Sequence, residues 1–183
     1  MNASVVDSFA AEILPHLDAA YNVARWLVRD SSDAEDIVQE ACLRALRYFD
    51  GFQGGNARAW LLKIVRTTSY AWMQKHRAQQ SAVEFDESIH TGGPELANPE
   101  TLMLQQADSE LVERALRALP IRLREVLVLR ELQGLTYKEI ADVVDVPIGT
   151  VMSSLSRARD RFRRVVTEEL SQSPRPEQLV GSV

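Results

Sequence analysis

The stretch from Thr136 to Arg164 constrains the fold more than any other part of the sequence. Thr136 and Glu139 have the spacing of a capping box, in which a hydroxyl accepts from a backbone amide and a carboxylate reaches back to the cap. Asp145 stands where the chain must turn, since Asp tolerates the left-handed region, and Pro147 cannot continue the preceding helix. The pattern predicts two helices joined by a short turn, the arrangement of a DNA-binding helix-turn-helix.

The second helix of this pair is both amphipathic and basic. Between Ser153 and Arg164 there are five arginines and a single acid, Asp160. Arginines at this density can pair with DNA phosphates and release counterions. A solvated amphipathic helix is the alternative for an isolated Arg-rich segment, but the capped helix and the turn upstream favour DNA binding. The apolar stripe of this helix has spacings of three and four and consists of Val151, Leu155, Ala158, Phe162 and Val165 or Val166.

The formal net charge of −5 hides a partition along the chain. Residues 1–77 carry nine basic and nine acidic side chains, residues 78–113 carry eight acids and no Lys or Arg, and residues 114–183 carry twelve basic and nine acidic side chains. The acidic surplus therefore lies in the middle, whereas the outer parts are neutral or positive. This distribution predicts two domains joined by an acidic linker.

Length and composition are those of a globular protein. The 183 residues, 45% of them hydrophobic and 26% charged, suffice for one or two domains. No apolar run approaches a membrane span and the N-terminus lacks a signal pattern, so we expect a cytoplasmic protein without membrane insertion. The single cysteine, Cys42, excludes an internal disulfide and a cysteine-rich zinc site. It is interpreted as a small core residue or, alternatively, as a redox-sensitive thiol.

The first part of the chain is predicted to be helical throughout. Residues 7–28 have a helical apolar period that Pro15 breaks or kinks, so two shorter helices are possible. Ser32 and Glu35 have the spacing of a second capping box, which would start a helix reaching about Phe49. A Gly-rich loop over 50–56 and a helix over about 57–77 follow. The buried stripe of the helix from Ser32 should be Ala34, Ile37, Val38, Ala41, Ala45 and Phe49.

The remaining segments complete an all-α prediction. Residues 78–100 lack a sustained period and are expected to form a flexible acidic linker. Helix resumes near residue 99, Pro120 suits the first turn of a helix ending at Leu132, and Gly134 suits its stop. The predicted fold is two small helical domains, 1–77 and 101–170, joined by the linker at 78–100 and followed by a disordered tail at 171–183.

Several segments, in order, resemble conserved regions of bacterial sigma factors. Residues 33–45 resemble the region 2 helix, and residues 57–67 resemble the promoter-melting helix that follows it. Residues 119–132, then 136–141 and 146–151, resemble region 4 of the short extracytoplasmic-function (ECF, group IV) sigma factors. The resemblance covers roughly residues 5–168. Several such segments in the right order are more specific than any one alone.

The resemblance implies a dissociable specificity subunit of RNA polymerase that binds promoter DNA. Region 2 would bind the clamp helices of the largest polymerase subunit, and the flap of the second subunit is the other implied polymerase partner. A solvated helix face is the alternative for the charged residues of region 2. The polymerase-binding residues implied by the resemblance are Asp36, Gln39, Glu40, Leu43 and Arg44.

The resemblance also assigns a −10 site to region 2. An aromatic ring can stack on an unstacked base and a hydroxyl can bond its edge, which suits Phe52 and Thr67. Phe52 could instead anchor the loop in the core, and Trp60 and Trp72 are interpreted as core residues rather than base platforms. Many relatives have Asn at the position of Thr67, which blurs the preferred base. The full implied −10 set is Phe52, Arg66, Thr67, Lys75 and Arg77.

For the −35 element the resemblance implies that the helix from about Ile148 enters the major groove. The first turns, with Thr150, Ser153, Ser154 and Arg157, would face phosphates and base edges. The later arginines, Arg159, Arg161, Arg163 and Arg164, are expected to touch DNA backbone or polymerase. Many relatives have Arg at the position of Ser154, which blurs the −35 preference. The implied −35 set is Thr150, Ser153, Ser154, Arg157, Arg159 and Arg161.

Two other classes of protein compete with this interpretation. A repressor or activator with a helix-turn-helix would bind duplex DNA without polymerase, but would not need the acidic and aromatic helices of region 2. An enzyme is poorly supported, because there is no phosphate-binding Gly loop and no ligand-spaced histidine cluster. We therefore expect no catalytic residue, no metal and no cofactor. The resemblance further implies inhibition by an anti-sigma protein. Because each domain offers a small footprint and the flexible linker does not fix their spacing, we expect the free chain to bind promoter DNA weakly.

Overall fold

The computed structural model describes residues 3–80 and 109–172, and every regular element in these ranges is helical. The all-α prediction is therefore confirmed for the part of the chain described. The predicted linker lies largely outside these ranges, and so does the tail beyond residue 172. The first half, residues 3–80, consists of α1 (Ala3–Ile13), α2 (Leu17–Val28), α3 (Ser31–Arg47) and α4 (Ala57–Gln80). The second half, residues 109–172, consists of α5 (109–117), α6 (Ile121–Leu127), a π-helical segment (Val128–Leu132), α7 (Tyr137–Val144) and α8 (Ile148–Gln172).

The first half is a small bundle in which α2, α3 and α4 pack against one another. Pro15 lies in a 3-10 turn, Leu14–His16, between α1 and α2, so the predicted break is confirmed. The predicted inner stripe of α3 is also confirmed. Its small residues let the neighbouring helices approach closely. Ala34, Ile37, Ala41 and Ala45 are buried, and Val38 packs partly buried against the same core.

The N-terminal cap of α3 differs from the prediction. Asp30, not Ser32, caps the helix: its Oδ1 accepts from the backbone amides of Ser32 at 2.8 Å and Asp33 at 3.1 Å. Asp is as good an N-cap as Ser, and its extended backbone leaves Ser31 as the first helical residue. The predicted capping box of Ser32 and Glu35 is therefore wrong, although the helix it announced is present.

The second half has the predicted helix-turn-helix with its caps. Pro120 is the N-cap of α6 rather than a residue of its first turn, and Gly134 has the positive φ of a helix stop, 65°. The hydroxyl of Thr136 accepts from the Glu139 amide at 3.3 Å, and the Thr136 amide donates to the Glu139 carboxylate at 2.8 Å. Asp145 adopts the left-handed conformation at φ 57°, ψ 52°. The capping box and the turn residue are thus both confirmed.

The backbone at Asp145 predicts a stabilising substitution. A non-glycine residue in the left-handed region is strained, so Asp145→Gly should stabilise the second half by about 0.5–1 kcal/mol. The same change at exposed Asp142, inside α7, should destabilise it by about 0.3 kcal/mol, because glycine is a weaker helix former than Asp. Urea unfolding of the two variants should show midpoints displaced in opposite directions. A decrease for both would contradict the argument.

The two halves are in direct contact. Helix α4 packs on α7, and α2 packs on α6, so the positions of the halves are not set by the connecting segment alone. Two charged residues in the middle of α6, Arg124 and Glu125, are 3% and 4% exposed. This arrangement decides which side chains of α4 face solvent and which face the second half.

Candidate nucleic-acid and partner interfaces

The outer face of α3 presents the residues predicted to bind polymerase. Asp36, Gln39 and Glu40 are exposed, and Leu43 is 61% exposed although it is a large apolar residue. Arg44 donates from Nε to the Glu40 carboxylate at 2.7 Å, one turn away on the same face. Asp36, Gln39, Glu40 and Leu43 lie away from the alanine stripe that packs into the core, and half-buried Arg44 borders that stripe. A single exposed leucine framed by charges is compatible with a docking surface.

A cleft of about 420 Å³ between α3 and α4 brings part of this set next to a predicted −10 residue. Asp36, Glu40 and Arg44 line one wall, and exposed Lys75 lines the other. Trp72 also lines the cleft and stacks on His76 with ring centroids 3.6 Å apart. The structure therefore joins two sets of residues that the sequence assigned to different partners.

Phe52 is partly buried in an aromatic cluster. Its ring stacks on Phe49 with centroids 5.8 Å apart and lies tilted against Trp60 at 5.0 Å. Phe49 also meets Phe9 edge-on at 5.4 Å. These contacts favour the interpretation of Phe52 as the anchor of the Gly-rich loop, and its contact with a −10 base remains a prediction. Trp60 and Trp72 both pack partly buried against the core, as interpreted from the sequence.

The predicted −10 residues of α4 do not share one face. Thr67 is exposed, and its hydroxyl donates to the Ile64 carbonyl at 2.9 Å. Lys75 and Arg77 are exposed farther along the helix. Arg66 instead points at the second half, where its Nε donates to the Glu125 carboxylate at 2.7 Å. In this arrangement Arg66 is engaged by the protein itself.

Glu125 is the centre of this contact. Its side chain is 3% exposed and also accepts from the Tyr70 hydroxyl at 3.2 Å. Burial raises the pKa of Glu125, although Arg66 acts in the opposite direction. Burial and the neighbouring Glu125 charge raise the pKa of Tyr70 to about 12. The Arg66 guanidinium lies 4.9 Å from the Tyr70 ring centroid and completes the cluster.

Two further polar contacts join α4 to the second half. The Arg58 guanidinium donates to the Gln133 side-chain oxygen at 2.6 Å, and Gln133 is only 4% exposed. The Asn56 amide donates to Glu139, the residue that completes the capping box of α7. Sequence inspection did not identify these partners, because they are separated by 75 and 83 positions and no local pattern links them.

The predicted −35 residues divide between two sides of α8. Thr150, Ser153, Arg157 and Arg161 are exposed and lie on one side, since 3.6 residues complete a helical turn. Ser154 is half-buried on the same side, and its hydroxyl accepts from Arg157 Nη2 at 3.4 Å. These five residues form the outward face of the helix-turn-helix.

Arg159 lies on the other side of α8, facing the rest of the second half. Its Nη2 and Nε donate to the Glu131 carboxylate at 2.7 and 3.1 Å. The side chain borders an apolar groove of about 460 Å³ between α5, the π-helical segment and α8. Val112 and Leu132, 41% and 49% exposed, lie in its wall. The sequence analysis did not predict this groove. The signal that could have indicated it is the position of Val112 and Leu132 on otherwise polar helix faces.

Other kinds of site find no support in the described ranges. Within residues 3–80 and 109–172, no group of three or more His, Cys, Asp or Glu side chains is arranged to hold a metal ion. No helix in these ranges is both long and apolar enough to cross a membrane. Burial raises the pKa of the Cys42 thiol, which lowers its thiolate fraction at neutral pH and favours the structural interpretation.

Two family models match the chain in the order of its two halves. Residues 13–79 match Sigma-70 region 2, and residues 109–162 match Sigma-70 region 4. The first match spans α2 to α4, which carry the polymerase-binding and −10 predictions. The second spans α5 to most of α8, including the helix-turn-helix.

Individual relatives agree with these matches. The chain is 42% identical over 137 residues to the ECF RNA polymerase sigma-E factor of Escherichia coli strain K12, covering 71% of this chain and 72% of that protein. It is 34% identical over 147 residues to the RNA polymerase sigma-H factor of Pseudomonas aeruginosa, covering 76% of each. Among solved structures, the sigma factor RpoE of Bartonella quintana, in complex with the anti-sigma factor NepR, superposes with a TM-score of 0.71 at 29% identity, covering 91% of this chain and 99% of that one.

Proposed function

Because the chain belongs to the ECF family of RNA polymerase sigma factors, we propose how its surfaces divide the work of promoter-specific transcription initiation. The first half docks on core polymerase and holds the −10 element, and the second half reads the −35 element. The observation that carries the proposal is the separation of one polar, arginine-bearing face on α8 from the acidic, leucine-bearing face on α3. Two such faces suit two different partners.

The first half offers its α3 face to the clamp helices of the largest polymerase subunit. Leu43 supplies exposed apolar area at the centre, and the surrounding charges fix orientation, as in ordinary protein interfaces. Asp36, Gln39, Glu40 and Arg44 provide those charges and hydrogen bonds. In the second half, the apolar groove bordered by Arg159 suits an amphipathic helix from the flap of the second subunit.

The promoter is recognised by both halves. Thr150, Ser153, Ser154, Arg157 and Arg161 enter the major groove at −35, because the N-terminal turns of a recognition helix contact base edges. Thr67, Lys75 and Arg77 follow the −10 strand along α4. Arg66 joins them when it leaves Glu125. Polymerase supplies catalysis, so this chain acts as a non-catalytic subunit in the cytoplasm beside the nucleic acid.

An anti-sigma protein is the regulator that this arrangement suits. RpoE of Bartonella quintana was solved with NepR. By its family likeness, the present chain should bind an inhibitor that covers the α3 face and the apolar groove together. Covering both would prevent polymerase docking by either half. Pull-down of the tagged chain from its own host, with Leu43→Asp and wild type compared, should recover an inhibitor whose binding weakens in the variant.

In vitro transcription with purified core polymerase on a genomic library tests the proposed function. Discrete start sites that depend on this chain and share upstream elements are expected, and they define its −10 and −35 preferences. A repressor or activator would instead bind specific duplex DNA alone and give no new start sites. The matches to both sigma regions and the exposed α3 face do not favour that alternative.

The division of α8 into two sides predicts different effects for two arginines. Arg157→Ala should lower transcription from the cognate promoter by about 5- to 150-fold, because a base-edge contact is worth about 1–3 kcal/mol. Arg159→Ala should retain −35 sequence preference, since Arg159 is paired with Glu131 on the other side. The test is transcription from promoters carrying each single substitution in the −35 element. A loss of base preference in Arg159→Ala would contradict this orientation of the helix.

A further inference from the structure

A second cleft, of about 670 Å³, lies between the two halves and shares Trp72 and His76 with the cleft between α3 and α4. The end of α2, the start of α3 and the end of α4 form its first wall, and the residues from Leu119 to Arg124 form its second. Cavities of about 300–1,000 Å³ are the size that takes metabolite-sized ligands. Arg77, proposed above to contact the −10 strand, also lines this cleft, whereas Arg29 and Arg124 have no role in the surfaces proposed above.

Arg124 lines the cleft and is an unusual residue for a helical core. It is 3% exposed, and no carboxylate within residues 3–80 and 109–172 forms a salt bridge with it. Its Nη1 donates to the Arg117 carbonyl at 3.4 Å, and its Nε has no hydrogen-bond partner in the described structure. Burial, with the charges of Arg29 and Arg117, lowers the pKa of Arg124 to about 10, so it remains charged at neutral pH. A buried charge without a counter-charge is costly.

The guanidinium of Arg29, from the first half, donates to the same carbonyl oxygen as Arg124. Arg29 Nη2 donates to the Arg117 carbonyl oxygen at 3.2 Å, so two cationic groups converge on one neutral acceptor. Arg29 is also one of two non-glycine residues in the described ranges with a positive φ, 73°, a conformation that must be held by its surroundings. The Arg117 side chain is paired with Glu113 on its own helix. Asp33 is the one carboxylate among the residues lining the cleft.

We propose that this cleft binds an oxyanion of the phosphate class between Arg29 and Arg124. A phosphate monoester has three terminal oxygens and a charge of about −1.5 to −2, so it can accept from both guanidinium groups and offset both charges, whereas a carboxylate offsets only one. The anion would neutralise the excess positive charge of the two guanidinium groups. Because the two arginines come from different halves, the bound anion would hold the halves together.

Free phosphate and a phosphoryl group on a metabolite share this chemistry, and two probes distinguish them. Thermal unfolding of the full chain would be followed with inorganic phosphate or adenosine monophosphate replacing chloride at constant ionic strength. The melting temperature should rise by about 5–10 °C at a hundredfold excess over Kd. A tighter midpoint for the nucleotide would show that the cleft also takes an organic group, and equal midpoints would identify phosphate alone.

Three variants make the test specific. Arg124→Met removes the guanidinium but keeps an apolar stem, and the shift should be lost. Arg29→Gln changes an exposed side chain and therefore folds, and it should weaken binding at least tenfold. Arg122→Gln, an exposed arginine on the same helix, should retain the full shift. If Arg124→Met does not fold, titration calorimetry of wild type against Arg29→Gln gives the same comparison.

Three results would overturn the proposal. One is the absence of a phosphate-dependent shift of the melting temperature in the wild-type chain at up to about 10 mM phosphate. At this concentration even a site with a Kd of about 1 mM is mostly occupied. Another is an equal shift in wild type and Arg29→Gln, which would indicate a general salt effect. The third is a response lost in Arg122→Gln as much as in Arg124→Met, which would place the anion elsewhere on α6.

Discussion

Arg66→Met should loosen the contact between the two halves by about 3–5 kcal/mol, because it removes the salt-bridge partner of the buried Glu125 carboxylate. The loss cannot exceed the free energy that holds the halves together, since Glu125 regains water when they part. Hydrogen exchange should therefore become faster in α4 and α7 where they pack, and remain unchanged inside α3.

Arg44→Met is the matched control for this experiment. It removes the arginine of the Arg44–Glu40 ion pair, whose N–O distance of 2.7 Å equals that of Arg66–Glu125. Both side chains of the control pair are at least 40% exposed. Exposed pairs contribute about 0–1 kcal/mol, so its exchange pattern and urea midpoint should stay close to wild type. Equal effects of the two substitutions would show that the Arg66–Glu125 pair does not hold the halves together.

Glu125→Gln separates the charge from the hydrogen bonds. Burial raises the pKa of Glu125, so the ionised form is the one that packing disfavours. A group with a raised pKa stabilises the packed state fully below its ordinary pKa and loses that contribution as pH rises through the higher value. We therefore expect the glutamine variant to hold the halves together at neutral pH at least as well as wild type. A looser contact in this variant would assign the stability to the ion pair itself.

Leu43→Asp should lower the affinity for core polymerase at least 30-fold, the effect of losing an interface hot spot of about 2 kcal/mol or more. The substitution places a charge where the proposed interface is apolar and adds repulsion to the acids around it. Folding should be preserved, because the leucine is 61% exposed and makes little contribution to the core. Fluorescence anisotropy of labelled chain titrated with core polymerase measures the loss directly.

Leu170→Asp is the control, because Leu170 is 60% exposed near the end of α8 and far from α3 in sequence. Its affinity for polymerase should remain within twofold of wild type. If both aspartate variants bound polymerase normally, the α3 face would be an ordinary solvated surface. If both failed, the loss would reflect charge or solubility rather than docking.

Local features of the sequence determined the helices and their ends. The Thr136–Glu139 capping box, the left-handed turn at Asp145 and the break at Pro15 all depend on residues within a few positions of one another. The inner stripe of α3 follows from helical periodicity, which fixes which side chains share a face. The cap of α3 was misplaced by two residues, because Asp30 and Ser32 are equally good caps and only the backbone chooses between them.

Only the tertiary structure decided what each polar face meets. Periodicity places Arg66 and Thr67 on the outside of α4. It cannot show that Arg66 pairs with Glu125, 59 positions away, while Thr67 stays exposed. The same holds for Arg159 and for the cleft at Arg124, because burial and pairing depend on how separate helices pack. The sequence by itself determined the helical elements, the capping box of α7 and the two sigma-like regions, since those signals are local. Contact between the halves arises from packing of distant segments, and so the structure alone assigned partners to their charges.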